Sequence, residues 1–210
     1  MKKIIIIATV FCICIFLYYT VSPSRYKIKN SNSVSQTIIC FGDSLTYGTG
    51  ASNGMGYPYQ LSKMIKLPVI NLGIPGNTTT MALKRISEVL NLKPGIVILT
   101  LGGNDLKTGI PKDTAFNNLK IIINKIQNKG ALVVIGGIDF PFFGKGFGDA
   151  YKILARQTGS LLIPNIYSGI LGHPKLMNDR IHPNNAGYTV MAESFYKALK
   201  PYINSHHLKN

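Results

Sequence analysis

The sequence predicts an α/β fold, a parallel sheet of five strands covered by helices on both faces. Three observations predict it. Five short apolar runs recur along the chain, at 37–41, 68–72, 96–101, 131–138 and 161–163. They are apolar throughout rather than alternating, as strands buried on both faces are. Stretches of helical character separate them, at 57–66, 78–90, 112–128 and 147–158, with a last one from about 185 to 199. In the third of these, Ala115, Phe116, Leu119, Ile122, Ile123 and Ile126 recur at helical spacing and make one apolar face. Strands alternating with one-faced helices imply a parallel sheet with a helical layer on each side.

Taken in order, the chain opens with Lys2 and Lys3 and then 18 uncharged residues, 4–21. This is the layout of a signal peptide or a short membrane anchor. A helix of that length rises about 27 Å, slightly less than the hydrocarbon core, and a proline follows the small residues where cleavage would fall, which favours an uncleaved anchor. Either way, export is expected. Residues 22–36, rich in Ser and Asn, read as a polar linker; 37–204 is the single domain and 205–210 a tail.

Composition narrows the function classes. With 46% hydrophobic and 15% charged residues in 210, the chain can bury one sizeable core. The formal charge of +15 raises the question of nucleic acid, but the 23 Lys and Arg are spread out. No nucleic-acid partner is expected; Lys on the outer faces of helices accounts for such a diffuse charge, with attraction to anionic lipid headgroups or cell-wall polymers as the alternative. Cys12, Cys14 and Cys40 form no disulfide framework, and no Cys/His cluster has metal-ligand spacing, so no structural metal is expected.

The chemistry converges on strand ends. In a parallel sheet, ligands bind beyond the carboxyl ends of the strands. There the first run delivers Gly42-Asp43-Ser44-Leu45, the second Asn71-Leu72-Gly73-Ile74-Pro75-Gly76-Asn77, and the third Gly102-Gly103-Asn104-Asp105. Asp179-Arg180-Ile181-His182-Pro183-Asn184 follows the fifth, with Asn184 placed to cap the final helix. A serine hydroxyl needs a base, and the base an orienting partner; Ser44, His182 and Asp179 fill the three roles. Acyl transfer also needs donors aimed at an oxyanion. The backbone N–H groups of Ser44 and Gly73 and the side-chain amide of Asn104 are the candidates.

These four blocks resemble those of the GDSL/SGNH hydrolase family, over about residues 37–202, and within it the bacterial multifunctional thioesterases, arylesterases and lysophospholipases. The resemblance implies a three-layer α/β/α sandwich similar to flavodoxin, Ser44 as nucleophile, Asp179 and His182 completing the triad, an oxyanion hole of Ser44, Gly73 and Asn104, and no cofactor. The α/β-hydrolase nucleophile elbow does not fit, since Thr46 stands where its last glycine would be.

Phe140, Phe142, Phe143 and Phe147 cluster after the fourth run. Phe142, Phe143 and Phe147 are the expected lining of an acyl-chain pocket, with packing in the core as the alternative. The expected activity is hydrolysis of acyl esters, thioesters or lysophospholipids through an acyl-enzyme. A carbohydrate or cell-wall O-deacetylase is the rival enzyme, and a non-catalytic module holding anionic polymer is the rival of another class.

Overall fold

The computed structural model describes residues 26–33, 35–140 and 146–203. β1 (Ile38–Gly42) leads into a single helical turn, α1 (Ser44–Tyr47), followed by α2 (Tyr57–Ile65), β2 (Val69–Gly73), α3 (Thr79–Lys84) and α4 (Ile86–Asn91). Then come β3 (Ile96–Thr100), α5 (Gly103–Thr108), α6 (Lys112–Gln127) and β4 (Leu132–Gly136). The chain closes with α7 (Phe147–Thr158), β5 (Leu161–Ile163), a 3₁₀ turn (Pro174–Leu176) and α8 (Asn185–Leu199).

The five strands form one wholly parallel sheet in the order β2-β1-β3-β4-β5. β1, β3 and β4 are buried at every position, as continuous apolar runs require, while the edge strands β2 and β5 are half-exposed. Two helical layers cover it. α2 packs on α8, with Tyr57 and Phe195 stacked at 4.8 Å between ring centroids. α6 packs against α3, α4 and α7, burying its Ala115, Leu119, Ile122, Ile123 and Ile126 stripe. This is the expected α/β/α sandwich.

β1 has β2 on one side and β3 on the other, so the strand order reverses at β1, the topological switch point where such sheets bind ligands. The register sharpens this. Gly42 pairs with Gly73 and with Thr100, so three strand ends stop at one level and three loops leave together.

Two expectations change. The helix expected over 78–90 is broken at Arg85, whose φ of −106° and ψ of 16° leave the helical region between α3 and α4. Arg85 turns inward there to hydrogen-bond backbone carbonyls, as described below. Within the linker expected over 22–36, residues 26–30 are a strap on the domain. Tyr26 Oη donates to Ser160 O at 2.8 Å, Lys29 N to Gly159 O at 2.8 Å, and Asn30 Nδ2 to Gln127 O at 2.8 Å and Ala131 O at 3.0 Å. Polar composition misled because the Tyr26 and Asn30 side chains and the Lys29 backbone N–H bond carbonyls at and just beyond the ends of α6 and α7. The apolar segment 1–21 and the tail 205–210 lie outside the described residues. Among the described residues no helix is long and apolar enough to cross a membrane.

Candidate active site

Ser44 is the first residue of α1, presented by a tight exit from β1. Asp43 caps the turn, its Oδ1 accepting from Leu45 N at 3.0 Å. Gly42 has to be glycine: a Cβ there would run into the side chains of Thr46 and Thr100. Those two hydroxyls hydrogen-bond to each other, and Thr46 Oγ1 also reaches Tyr57 Oη at 3.0 Å, fixing the base of α1 to β3 and α2.

His182, the expected base, arrives on a loop closed upon itself. Met177 and Pro183 form an antiparallel bridge, Asn178 N donates to His182 O at 2.8 Å, and Tyr167 Oη donates to Ile181 O at 2.7 Å. Asn184 caps α8, accepting from Gly187 N at 3.1 Å, and its Nδ2 donates back to Lys175 O at 2.9 Å. The loop thus hangs from the helix start.

His182 Nε2 lies 3.1 Å from Ser44 Oγ, and Nδ1 lies 2.7 Å from Asp179 Oδ2. Asp179 Oδ1 meanwhile accepts from the backbone N–H groups of Ile181 and His182, each at 2.8 Å. Partial desolvation pushes the Asp179 carboxyl up, but the N–H of Ile181, the imidazole and the N–H of His182 together outweigh it and hold the pKa at about 2. Asp179 is therefore a carboxylate that accepts the Nδ1 proton, which leaves the Nε2 lone pair facing the serine hydroxyl. The three residues predicted as a triad are brought together in hydrogen-bonded order.

Asn104 reaches the same place from β3. Gly102, at φ 118°, turns the chain into α5, and a Cβ there would strike the Tyr151 hydroxyl. Asn104 Nδ2 donates to Asn77 O at 3.0 Å and makes a longer 3.4 Å contact with Asp43 Oδ2. Asp43 is buried, and desolvation pushes its carboxyl up to about 7, against the N–H groups that bind the charge and with a smaller contribution from nearby Asp105.

Two expected site residues are placed differently. Gly73 N–H donates to Asn71 Oδ1 at 2.9 Å, and Gly73 packs so closely on Thr46 and Tyr47 that a Cβ would run into their backbone. Its need to be glycine is thus a packing need, and its donor is already engaged. Phe147 begins α7 buried, edge-on to Phe116 at 5.3 Å, and does not line the groove at Ser44. Packing against α6 claims it. Phe142 and Phe143 lie outside the described residues.

A groove of ≈ 640 Å³ opens beside Ser44, His182 and Asn104. Leu106, Ile138, Phe140, Tyr167, Leu171 and Ile181 give it an apolar lining, and Lys107 and Arg180 add two cations. Phe140 and Tyr167 meet at 5.4 Å between centroids and wall one side. Phe140 was legible in the aromatic cluster. Tyr167 and Leu171 were not, because they sit on an irregular segment after β5 that has no periodicity to read. Among the described residues no group of three or more His, Cys, Asp or Glu could hold a metal ion.

A parallel α/β/α sandwich carrying a Ser-His-Asp relay at its switch point defines a serine hydrolase of carboxylic esters. The chain belongs to the GDSL-like lipase/acylhydrolase family, whose profile matches residues 40–190. It is similar to the esterase TesA of Pseudomonas aeruginosa, 29% identical over 188 residues that cover 84% of this chain and 94% of the relative. It is also similar to thioesterase 1/protease 1/lysophospholipase L1 of Escherichia coli, 28% identical over 181 residues covering 82% and 87%. Among solved structures, the psychrotrophic esterase EstA of Pseudoalteromonas, inhibited by monoethylphosphonate, superimposes with a TM-score of 0.74 at 26% identity, covering 81% of this chain and all (100%) of that one.

Proposed function

We propose that the protein is an exported esterase of broad acyl specificity, acting on esters or thioesters of medium or longer chains, lysophospholipids among them. The apolar groove running from Ser44 carries this reading. Its ≈ 640 Å³ falls in the range of sites that engulf small organic ligands, more than an acetyl group needs. The thioesterase and lysophospholipase names of the relatives agree with it. Lys107 and Arg180 beside an apolar lining suit an amphiphile with an anionic head. The leader with Lys2 and Lys3 before an uncharged run supports export, by signal peptide or anchor.

In this mechanism Ser44 Oγ attacks the acyl carbon while His182 Nε2 takes its proton. The carbonyl π electrons move to oxygen, and the resulting oxyanion is met by the N–H of Ser44 and the amide of Asn104. The longer of Asn104's two contacts, to Asp43 Oδ2, is the one released to the oxyanion. A third donor comes from the loop after β2. With Gly73 N–H engaged by Asn71, we assign that role to Gly76 N–H, which has no acceptor among the described residues and precedes Asn77, the residue whose carbonyl holds Asn104. The tetrahedral adduct collapses, His182 protonates the leaving alcohol or thiol, and water repeats the sequence on the acyl-enzyme.

Nitrophenyl esters from acetyl to palmitoyl test the reading, with Ser44→Ala alongside. A serine-dependent maximum at medium or long chains is expected. Activity confined to acetyl would replace it by an O-deacetylase, and binding of anionic polymer without turnover would replace it by a non-catalytic module.

A further inference from the structure

Arg85 is the most heavily engaged cation among the described residues, and the triad does not use it. Its side chain is 12% exposed. Its guanidinium lies over the ring of Phe41 on β1, 4.3 Å from the centroid. Nη2 donates to Gly42 O at 3.1 Å and to Leu72 O at 2.9 Å, Nε donates to Asn77 Oδ1 at 2.8 Å, and Nη1 meets Glu88 Oε2 at 3.1 Å. The three protein carbonyls on the inner side are not a random set. Gly42 O ends β1 two residues before Ser44. Leu72 O ends β2 just before the loop that runs to Asn77. Asn77 closes that loop, and its backbone O is the acceptor that holds Asn104 Nδ2 at 3.0 Å.

One planar group therefore ties together the strand end that presents the nucleophile, both ends of the loop after β2, and through Asn77 the amide from β3. We propose that Arg85 is the positioning residue of the oxyanion hole, fixing the mutual distances of donors that come from three different strands. The proposal rests on the serine-hydrolase reading above. Gly42 O and Leu72 O belong to neighbouring paired strands, β1 and β2, so a rigid fork of donors can span the two at once. A lysine has the charge but not the span: a compact ammonium cannot hold Gly42 O, Leu72 O and Asn77 Oδ1 in one geometry. The break between α3 and α4 falls at this residue, so the helical layer gives up its continuity where the guanidinium is delivered.

Arg85 touches no reacting atom, so its removal should act on the donors it holds. Both acylation and deacylation pass through an oxyanion, so kcat should fall with KM nearly unchanged. The full chain is compared with Arg85→Met, Arg85→Lys, Asn104→Ala and the Arg85→Met/Asn104→Ala pair on nitrophenyl butyrate, with thermal melting of each. Arg85→Met is expected to lower kcat by about 10- to 100-fold, less than loss of a donor outright. Arg85→Lys should recover little of it. The pair should lose scarcely more than Asn104→Ala alone, since both changes disable one unit. A purely structural role would instead give additive losses that track the melting temperature. Turnover by Arg85→Met within about twofold of wild type, or additivity in the pair, overturns the proposal.

Should Arg85→Met not melt cooperatively, Asn77→Ala carries the test. It removes only the anchor at the end of the loop, and its expected effect is a lower kcat at constant KM; an unchanged kcat counts against the proposal. Titration of Ser44 with a nitrophenyl phosphonate, absent in Ser44→Ala, checks the hydrolase reading separately. Failure of that titration in wild type overturns both, whereas normal titration with an indifferent Arg85 overturns only the positioning role.

Discussion

Two carboxyl groups near Ser44, those of Asp43 and Asp179, are pushed in opposite directions by the fold. Asp179 is held at about 2, so its stabilising contribution is present above its unfolded value and is lost as pH falls through the folded one. With 47% of its side chain exposed, that contribution is small after solvent screening. In the proposed mechanism its weight is catalytic: Asp179→Asn keeps the shape but can donate to Nδ1, leaving the wrong tautomer, and kcat should fall about 10³- to 10⁴-fold in steady-state assays. Asp43 behaves the other way. Burial raises its carboxyl from 3.8 to about 7, so the folded state holds a proton that the unfolded chain releases. Its contribution is complete below 3.8 and disappears as pH rises through about 7. The melting temperature should accordingly decline as pH rises from 3.8 to about 7, and Asp43→Asn should flatten that decline. The same substitution puts an NH₂ opposite Asn104 Nδ2, two donors face to face, and so lowers kcat as well. An equally steep decline in the variant would remove Asp43 as its source. The meeting of Ser44, Asn104, Asp179 and His182 at one groove was legible because each lies at or near a strand or helix end. The engagement of Gly73 N–H by Asn71, two residues away, was not, because a glycine gives no sign of whether its hydrogen bond or its missing Cβ is being used.

At the scale of elements, the strands and long helices were legible within a residue or two, since burial on two faces and one-faced periodicity leave strong patterns. The short pieces α1 and α5 were not, each being a turn shaped by what its first residues must reach. The strap was misread for a physical reason: its attachment is mostly hydrogen bonding, to which Tyr26 and Ile28 add a small apolar contact with the core. Tyr26, Lys29 and Asn30 contribute hydrogen bonds to carbonyls at the far end of the sheet from Ser44, and polar sequence with few apolar residues looks like linker. Starting the chain at Ser31 removes all three. Gln127 O and Ala131 O then lose the Asn30 donor, at a cost of roughly 2–4 kcal/mol in total, which for a domain of this size lowers the melting temperature by about 4–12 °C. kcat should not change, because the strap and the site lie at opposite ends of the strands. Equal melting of the chains begun at Tyr26 and Ser31 would show the strap to be a passive cover.

For the molecule as a whole, the sheet order turns scattered sequence blocks into one site. β1 lies between β2 and β3, so loops far apart in sequence meet at one edge of the sheet, and this convergence was readable from strand ends alone. What the sequence did not show was the groove, whose walls come from Phe140 on one loop, Tyr167 and Leu171 on another and Ile181 between the acid and the base. Its charge has a measurable consequence. Lys107 and Arg180 line it, both exposed and neither in an ion pair among the described residues, while the only carboxylate lining it is buried Asp43. An anionic acyl donor should therefore be favoured over a neutral one of equal chain length. Exposed charge pairs are worth up to about 1 kcal/mol each, so reversing both in Lys107→Glu/Arg180→Glu should lower the kcat/KM ratio for lysophosphatidylglycerol over monoacylglycerol by about tenfold. Salt should mimic the substitution, since screening acts on exposed charges first. A ratio that ignores both the substitutions and ionic strength would leave acyl length, set by the apolar walls, as the whole of the specificity.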